Sequence, residues 1–230
     1  MFQADQYLFP LFSAKLVSGS ARVQRFLGCG FWLDEHGHFA TCKHVLDSIA
    51  EGESLMIGQP NGPQSDHFWP VLSSIPHPQF DVAVCRASAS AVGAVLYHYD
   101  GPISLGLEVQ AFGYTDGGRH SARYQVDPRL LCGHVSRFAF EPYGLPSPTL
   151  LEVSFGSPSG FSGTPLLVGS QAVGILYSNL DSRLQAYAIE ESSTGASQYR
   201  EIAYRIYEYG IAHRIADLQP FFAQCGVGQS

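Results

Sequence analysis

Gly160-Phe161-Ser162-Gly163-Thr164-Pro165 sets a serine between two glycines, in the pattern G-x-S-G-x-P, directly after a stretch in which apolar Leu151, Val153 and Phe155 alternate with polar Glu152 and Ser154. That alternation predicts a strand and places the serine on a tight turn at its end. Glycine at 160 opens backbone conformations closed to other residues, which lets the N–H groups of Gly160 and Ser162 converge on one small volume. Two such donors beside a hydroxyl have the makings of an oxyanion hole next to a nucleophile. The same hexapeptide also fits an ordinary Gly-Ser turn of an all-β protein, so its meaning depends on the rest of the chain.

Composition narrows the field. The chain has 230 residues, of which 45% are hydrophobic and 14% charged, with 24 glycines and 14 prolines. This is the profile of a turn-rich, well-buried globular chain and not of a disordered or coiled-coil one. The length suits one large all-β domain or two small packed units. Net charge is −7 and no Lys/Arg cluster stands out, so the positive footprint needed to grip phosphates is missing and nucleic acid is not an expected partner. The first six residues carry no basic region, the apolar patch from Tyr7 to Phe12 is interrupted by Pro10, and no run is long enough to span a bilayer. Neither a signal peptide nor a membrane partner is expected. Five cysteines (Cys29, Cys42, Cys85, Cys132, Cys225), odd in number and without tight spacing, predict free thiols in a reducing, cytoplasmic setting.

Earlier in the chain, residues 8–33 alternate short β-like runs with Gly and Ser breaks, and Asp34-Glu35-His36-Gly37 reads as a turn. A strand resumes at Phe39-Ala40-Thr41 and leads into Cys42-Lys43-His44-Val45-Leu46. A loop is expected at 59–63 and a strand over 68–72. Then, in Pro76-His77-Pro78-Gln79-Phe80-Asp81-Val82-Ala83-Val84, an aspartate opens an apolar run where an unpaired carboxylate would be costly. Taken singly, His44 fits a packed or surface histidine and Asp81 a turn residue before a strand.

Taken together, Thr41-Cys42-Lys43-His44-Val45, Asp81-Val82-Ala83-Val84 and the hexapeptide around Ser162 resemble the three signatures of trypsin-like serine proteases of the chymotrypsin fold. They stand in the order His, Asp, Ser, which separates this family from subtilisins and α/β-hydrolases. Asp81 followed by Val82-Ala83, and Val45 where disulfide-bonded relatives carry a cysteine, are more similar to the bacterial HtrA-like branch than to secreted digestive enzymes. The resemblance covers about residues 10–225. It implies an all-β fold of two six-stranded antiparallel barrels, about 8–98 and about 105–225, within one peptidase domain spanning 1–230. The segment near Tyr99-Asp100-Gly101-Pro102 would link the barrels. Strands are expected at 107–112, 130–137 and 150–155, and a buried hairpin at 165–176. A last strand is expected from Gly210 to Ile215, then a short C-terminal helix capped by Asp217 with Pro220 in its first turn and Ile215, Leu218 and Phe222 facing the barrel.

The resemblance also implies a chemistry. His44 takes the proton of Ser162 Oγ as it attacks a peptide carbonyl, Asp81 orients the imidazole, and the N–H groups of Gly160 and Ser162 bind the oxyanion. Gly156, Tyr177, Ser178, Asn179 and Gly210 border the substrate, a peptide or protein, with a regulatory protein as a further partner. No cofactor and no metal are implied. Two positions depart from the pattern. Phe161 stands where members activated by pro-segment removal carry an aspartate. Gly156 stands where members that cut after Arg or Lys carry one, leaving Asp181, Glu190 or Glu191 to supply any charge. The connection 180–209, long for the family, is expected beside the cleft, with a strand at 184–189 and a Ser/Gly tip at 192–197. Two rival readings are a zinc site drawn from Cys29, His36, His38, Cys42 and His44, and a binding module that kept this fold without the chemistry.

Overall fold

Apolar side chains fill nearly every position from Leu8 to Ala14, and Leu8, Phe9, Leu11, Phe12 and Ala14 are all buried. So continuous a run suits a strand packed on both faces and not one with a wet side. It forms most of β1 (Leu8–Val17), which pairs antiparallel with β2 (Ser20–Trp32) and with β4 (Ser54–Gly58). In the computed structural model, which describes residues 6–17, 20–58, 68–88, 93–120, 123–139, 150–192 and 198–228, these strands join β3 (His38–Thr41), β5 (Phe68–Pro76) and β6 (Ala83–Ala87). The six close into a barrel in the order β1-β2-β3-β6-β5-β4. A second barrel closes as β10-β11-β12-β9-β8-β7 from β7 (Glu108–His120), β8 (Arg123–Ala139), β9 (Leu150–Val153), β10 (Pro165–Val168), β11 (Gln171–Ser192) and β12 (Gln198–Arg214). Closure removes the exposed strand edges that an open sheet would present. All neighbouring strands run antiparallel, so the expected all-β architecture of two six-stranded barrels is the one observed.

Local expectations fare unevenly. Gly28 and Gly30 do not break the first region; both lie inside β2, which is one strand from Ser20 to Trp32. The strand expected over 184–189 is part of a hairpin far longer than foreseen. β11 and β12 stay paired from Gly174↔Arg214 out to Ser192↔Gln198, well beyond Gly210↔Val153, where β12 leaves β9. The expected loop at 59–63 and all but the first residue of the expected tip lie outside the described residues.

The C-terminal helix starts earlier than its expected cap. It spans Ile215–Gln224 (α2) with Arg214 at the N-cap, so Asp217 falls in its first turn, 3.8 Å from Arg214, and Pro220 falls inside it. Burial explains the shift: Ile215 is 2% exposed, and with Leu218, Phe221 and Phe222 it joins the core of the first barrel. The second barrel thus ends in a helix that plugs the first. No helix among the described residues is long and apolar enough to cross a membrane.

The tail beyond α2 is tied down by Asp34. Its carboxylate accepts from the N–H groups of His36 and His38 (both 3.0 Å), from Gly228 (2.9 Å), and meets His38 Nδ1 at 2.7 Å. Burial raises the Asp34 pKa, but these hydrogen bonds outweigh it and hold the group below its ordinary value. A depressed carboxylate stabilises the fold above its unfolded pKa, and that contribution is lost as pH falls through the folded pKa. Asp34→Ala is therefore expected to cost about 2 kcal/mol at pH 7, and progressively less as the medium is acidified. Urea unfolding of both proteins at pH 7 and at pH 3 checks this, and an equal gap at the two pH values would contradict it.

Candidate active site

A single helical turn, α1 (Lys43–Asp47), follows β3 and is anchored by the buried side chain of Val45, leaving His44 exposed. The partner of His44 comes from the loop before β6. There Phe80 and Val82 are buried on either side of Asp81, the N–H of Val82 donates to Phe80 O (2.8 Å), and the N–H of His77 donates to Val82 O (2.8 Å). His77 Nδ1 in turn accepts from the N–H groups of Gln79 (3.1 Å) and Phe80 (3.0 Å). This loop offers the Asp81 carboxylate in one place. Its Oδ2 lies 2.5 Å from His44 Nδ1, and its Oδ1 accepts from the His44 backbone N–H at 2.9 Å.

Two contacts from one carboxylate fix both the position and the tautomer of the imidazole. With Nδ1–H donating to Asp81, Nε2 keeps its lone pair. The hydrogen bond to Asp81 raises the His44 pKa above its ordinary value against the opposing effect of burial. Burial raises Asp81, but the side-chain and backbone hydrogen bonds from His44 prevail and hold it below the usual range.

Ser162 lies on the turn between β9 and β10. Gly160 (φ +97°) and Gly163 (φ +86°) both occupy the left-handed region. The N–H of Phe161 donates to Pro158 O (3.0 Å) and that of Thr164 to Phe161 O (2.9 Å). Among the described residues, the N–H groups of Gly160 and Ser162 have no hydrogen-bond partner. The turn is pressed against the first barrel. Ser162 O accepts from the N–H of Cys29 (2.8 Å), and a Cβ at Gly28 would stand 2.8 Å from that same oxygen. A Cβ at Gly163 would stand 2.1 Å from Cys29 O and 2.6 Å from Thr41 Oγ1.

The two halves of the site meet at Leu176 of β11, whose carbonyl accepts from the N–H of Gly163 (2.9 Å) and from Cys42 Sγ (3.3 Å). His44 is two residues from one of these donors and Ser162 is next to the other. No hydrogen bond between the Ser162 hydroxyl and His44 is present among the described residues.

Three of the residues expected to border a substrate, Gly156, Asn179 and Gly210, are brought together. The N–H of Gly210 donates to Phe155 O (2.6 Å), while the Asn179 side chain accepts from the N–H of Ser157 (2.6 Å) and donates to Ser157 O (2.7 Å). Segment 155–157, with Gly156 at its centre, is thereby clamped to the base of the β11–β12 hairpin, where Asn179 and Gly210 are register partners. A bulge between Leu176 and Ser178 leaves Tyr177 out of register, while Ser178 and Asn179 are exposed.

One member of the site escaped the sequence reading. His213 of β12 is fully buried, its ring stacked on Tyr177 (4.1 Å between centroids, 10° between planes), and neither ring nitrogen has a hydrogen-bond partner among the described residues. Burial lowers its pKa to about 4, against the pull of the nearby Asp81. The ring therefore stays uncharged at neutral pH, near enough to Asp81 to feel its charge and packed between Tyr177 and Phe80. Nothing in Ala212-His213-Arg214 signals this, because the stack depends on pairing with a strand some 35 residues earlier.

The donor atoms of Cys42, His44 and Asp81 lie within 4.8 Å of one another, and this is the one such group among the described residues. Its chemistry suits a metal poorly. Burial holds the Cys42 thiol well above its ordinary pKa, whereas a metal takes the thiolate. His44 Nδ1 and Asp81 are already committed to each other. The other residues of the zinc reading are dispersed: His38 is held by Asp34, and Cys29 Sγ contacts Gly160 O at 3.3 Å. All five cysteines are unpaired.

No family model matches the sequence, and no curated protein matches it significantly. Solved structures do match in fold. The active form of the Rv3671c protease from M. tuberculosis is 16% identical with a TM-score of 0.61, the match covering 98% of this chain and 83% of that one. An HtrA-type protease, a variant of AlgW bound to a decapeptide, is 16% identical with a TM-score of 0.62, covering 97% of this chain and 65% of that one. A second AlgW structure with a decapeptide is 17% identical with a TM-score of 0.60, covering 91% and 61%. This chain therefore spans a little under two thirds of AlgW. With its two closed barrels and C-terminal helix, the chain has the trypsin-like fold shared by HtrA-type serine proteases.

Proposed function

We propose that this protein is a serine endopeptidase in which Ser162, His44 and Asp81 act together. The observation that carries the proposal is the double engagement of Asp81 with His44, at 2.5 Å and 2.9 Å, on the same Leu176 junction that holds the Ser162 turn. An imidazole with Nδ1–H committed to a carboxylate presents a basic Nε2. His44 Nε2 takes the proton of Ser162 Oγ as that oxygen adds to the peptide carbonyl, then gives the proton to the departing amine. The acyl group left on Ser162 Oγ is released by water through the same two proton transfers in the same order. Asp81 keeps its charge throughout and stabilises the imidazolium.

The unpartnered N–H groups of Gly160 and Ser162 supply the donors for the oxyanion. One such donor is worth about 100- to 1,000-fold in turnover. The AlgW structures that hold a decapeptide support a peptide as the substrate here. Incubation of the purified protein with a mixed peptide library, read by mass spectrometry, is expected to give internal cleavage products at pH 8. Intact peptides after prolonged incubation would favour a binding module with this fold and no hydrolysis.

A further inference from the structure

The hairpin of β11 and β12 outruns its barrel. β12 pairs with β9 only from Gly210 to His213, while its pairing with β11 continues out to Ser192↔Gln198. From Tyr209 outward, β12 therefore has no strand on its second side among the described residues. A two-stranded ribbon is at best marginally stable in water, and a bare edge is a template for another strand. The backbone groups at this edge belong to alternate residues. Gly210 sends its N–H to Phe155 O on the β9 side, and β12 runs on without a bulge of its own, so Glu208, Ile206, Tyr204 and Ile202 turn their N–H and C=O groups to that same side. The edge is also apolar at its middle, where Tyr204 is 53% exposed and Ile206 58%. Exposed edges are ordinarily blunted by lysine, proline or a bulge, and between Tyr199 and Tyr209 the sequence has neither lysine nor proline.

The sequence of this edge is complementary to itself. Read at every second residue around Tyr204, it runs Arg200, Ile202, Tyr204, Ile206, Glu208. Two copies of one strand related by a two-fold axis pair antiparallel about an axis normal to the sheet, so one residue lies opposite its own mate and that residue sets the register. With Tyr204 on the axis, Ile202 of each copy falls opposite Ile206 of the other, and position 200, an arginine, falls opposite Glu208. Within its own chain Glu208 stands across from Asp181, and neither carboxylate has an ion-pair partner among the described residues. No like charges meet in this register, since Glu201 falls opposite Tyr207 and Ala203 opposite Arg205. The neighbouring registers are worse. Centring on Arg205 sets arginine against arginine, and centring on Ala203 sets exposed Ile206 against an arginine. The favoured pairing from 200 to 208 extends on the order of 30 Å, and it turns two marginal ribbons into one four-stranded sheet.

We propose that β12 pairs edge to edge with β12 of a second copy of this chain, antiparallel about Tyr204, to form a two-fold dimer. Because the ribbons run in opposite directions, each barrel lies at its own Gly210 end and the two barrels sit at opposite ends of the shared sheet. The contact is isologous, so it consumes the edge in both copies and closes at two chains. It stands whether or not Ser162 cleaves peptides.

The test is sedimentation of the purified chain and of two charge-reversed variants. Wild type is expected to be a dimer at about 50 µM chain, the range of a modest interface. Glu208→Arg sets arginine against arginine at both ends of the pairing, and Arg200→Glu sets glutamate against glutamate, so each variant alone is expected to dimerise about 10-fold more weakly or worse. An equimolar mixture of the two variants restores opposite charges at both ends and is expected to recover the wild-type affinity as a heterodimer. Circular dichroism of each variant checks that it is folded, and Ile206→Lys, which removes the apolar contact instead, is expected to be monomeric should either reversal fail to fold. A wild-type chain that stays monomeric overturns the proposal, including when it captures a different protein. A dimer indifferent to all three substitutions, or a mixture no tighter than its folded components, places the contact elsewhere and overturns it as well.

Discussion

Ser162→Ala is expected to lower peptide hydrolysis by about 10⁵-fold or more while leaving the fold unchanged. The magnitude follows from the reaction. Without Oγ there is no covalent intermediate, and His44 loses the group it activates, so the members of the unit fail together and not in increments. Stability is expected to move by less than about 1 kcal/mol, because the substitution removes one hydroxyl from a half-buried turn position whose anchoring contact, Cys29 N–H to Ser162 O, is made by the backbone. Glycine substitutions on the same turn would behave differently: a Cβ at Gly163 would meet Cys29 O at 2.1 Å and damage the contact between the barrels. The measurement is kcat/KM on a cleaved library peptide together with thermal unfolding. A folded Ser162→Ala protein that cleaves at the wild-type rate would contradict the assignment.

Asp81→Asn is expected to reduce kcat by about 10⁴-fold at neutral pH and to move the acid limb of the pH profile. The base must be neutral to accept a proton. Because the Asp81 hydrogen bond raises the His44 pKa, wild-type kcat/KM is expected to rise with pH through a midpoint above the ordinary histidine value of about 6.5. Asparagine removes both the charge and the hydrogen bond from Nδ1–H to a carboxylate, so the midpoint moves down. The residual activity of the variant then reaches its plateau at lower pH than that of the wild type. A profile whose acid limb stays in place in Asp81→Asn would show that the 2.5 Å contact does not set the state of His44.

The fold was legible as what a family resemblance implies, and the motifs that carry the resemblance are local. The alternation at 151–155, the glycine-bracketed turn at Ser162 and the ordered appearance of His44, Asp81 and Ser162 each occupy a few consecutive residues. The His44 and Asp81 pair was legible for the same reason, since a histidine after one strand and an aspartate before another need only the barrel to meet. Ser54–Gly58 was missed as a strand because its buried run Leu55, Met56 and Ile57 is short and lacks alternation. His213 was missed for a different reason. Its stack on Tyr177 depends on pairing between β11 and β12, where a slip of one residue would turn the ring to the other face of the strand. Ile215, Leu218 and Phe222 are buried as expected, and only the N-cap differs, at Arg214 and not Asp217, because Ile215 enters the first barrel's core as part of the helix.

The most direct measurement of the central claim is covalent labelling with a fluorophosphonate, followed by mass mapping of the adduct. The account predicts one label per chain on Ser162 Oγ, because the hydroxyl is activated by His44 and the phosphonyl oxygen finds the N–H groups of Gly160 and Ser162. Labelling is expected to slow as the medium is acidified through the His44 pKa, and to be slowed strongly by Asp81→Asn. A folded wild-type protein that takes no label, or takes it at another residue with Ser162 unmodified, would contradict the account.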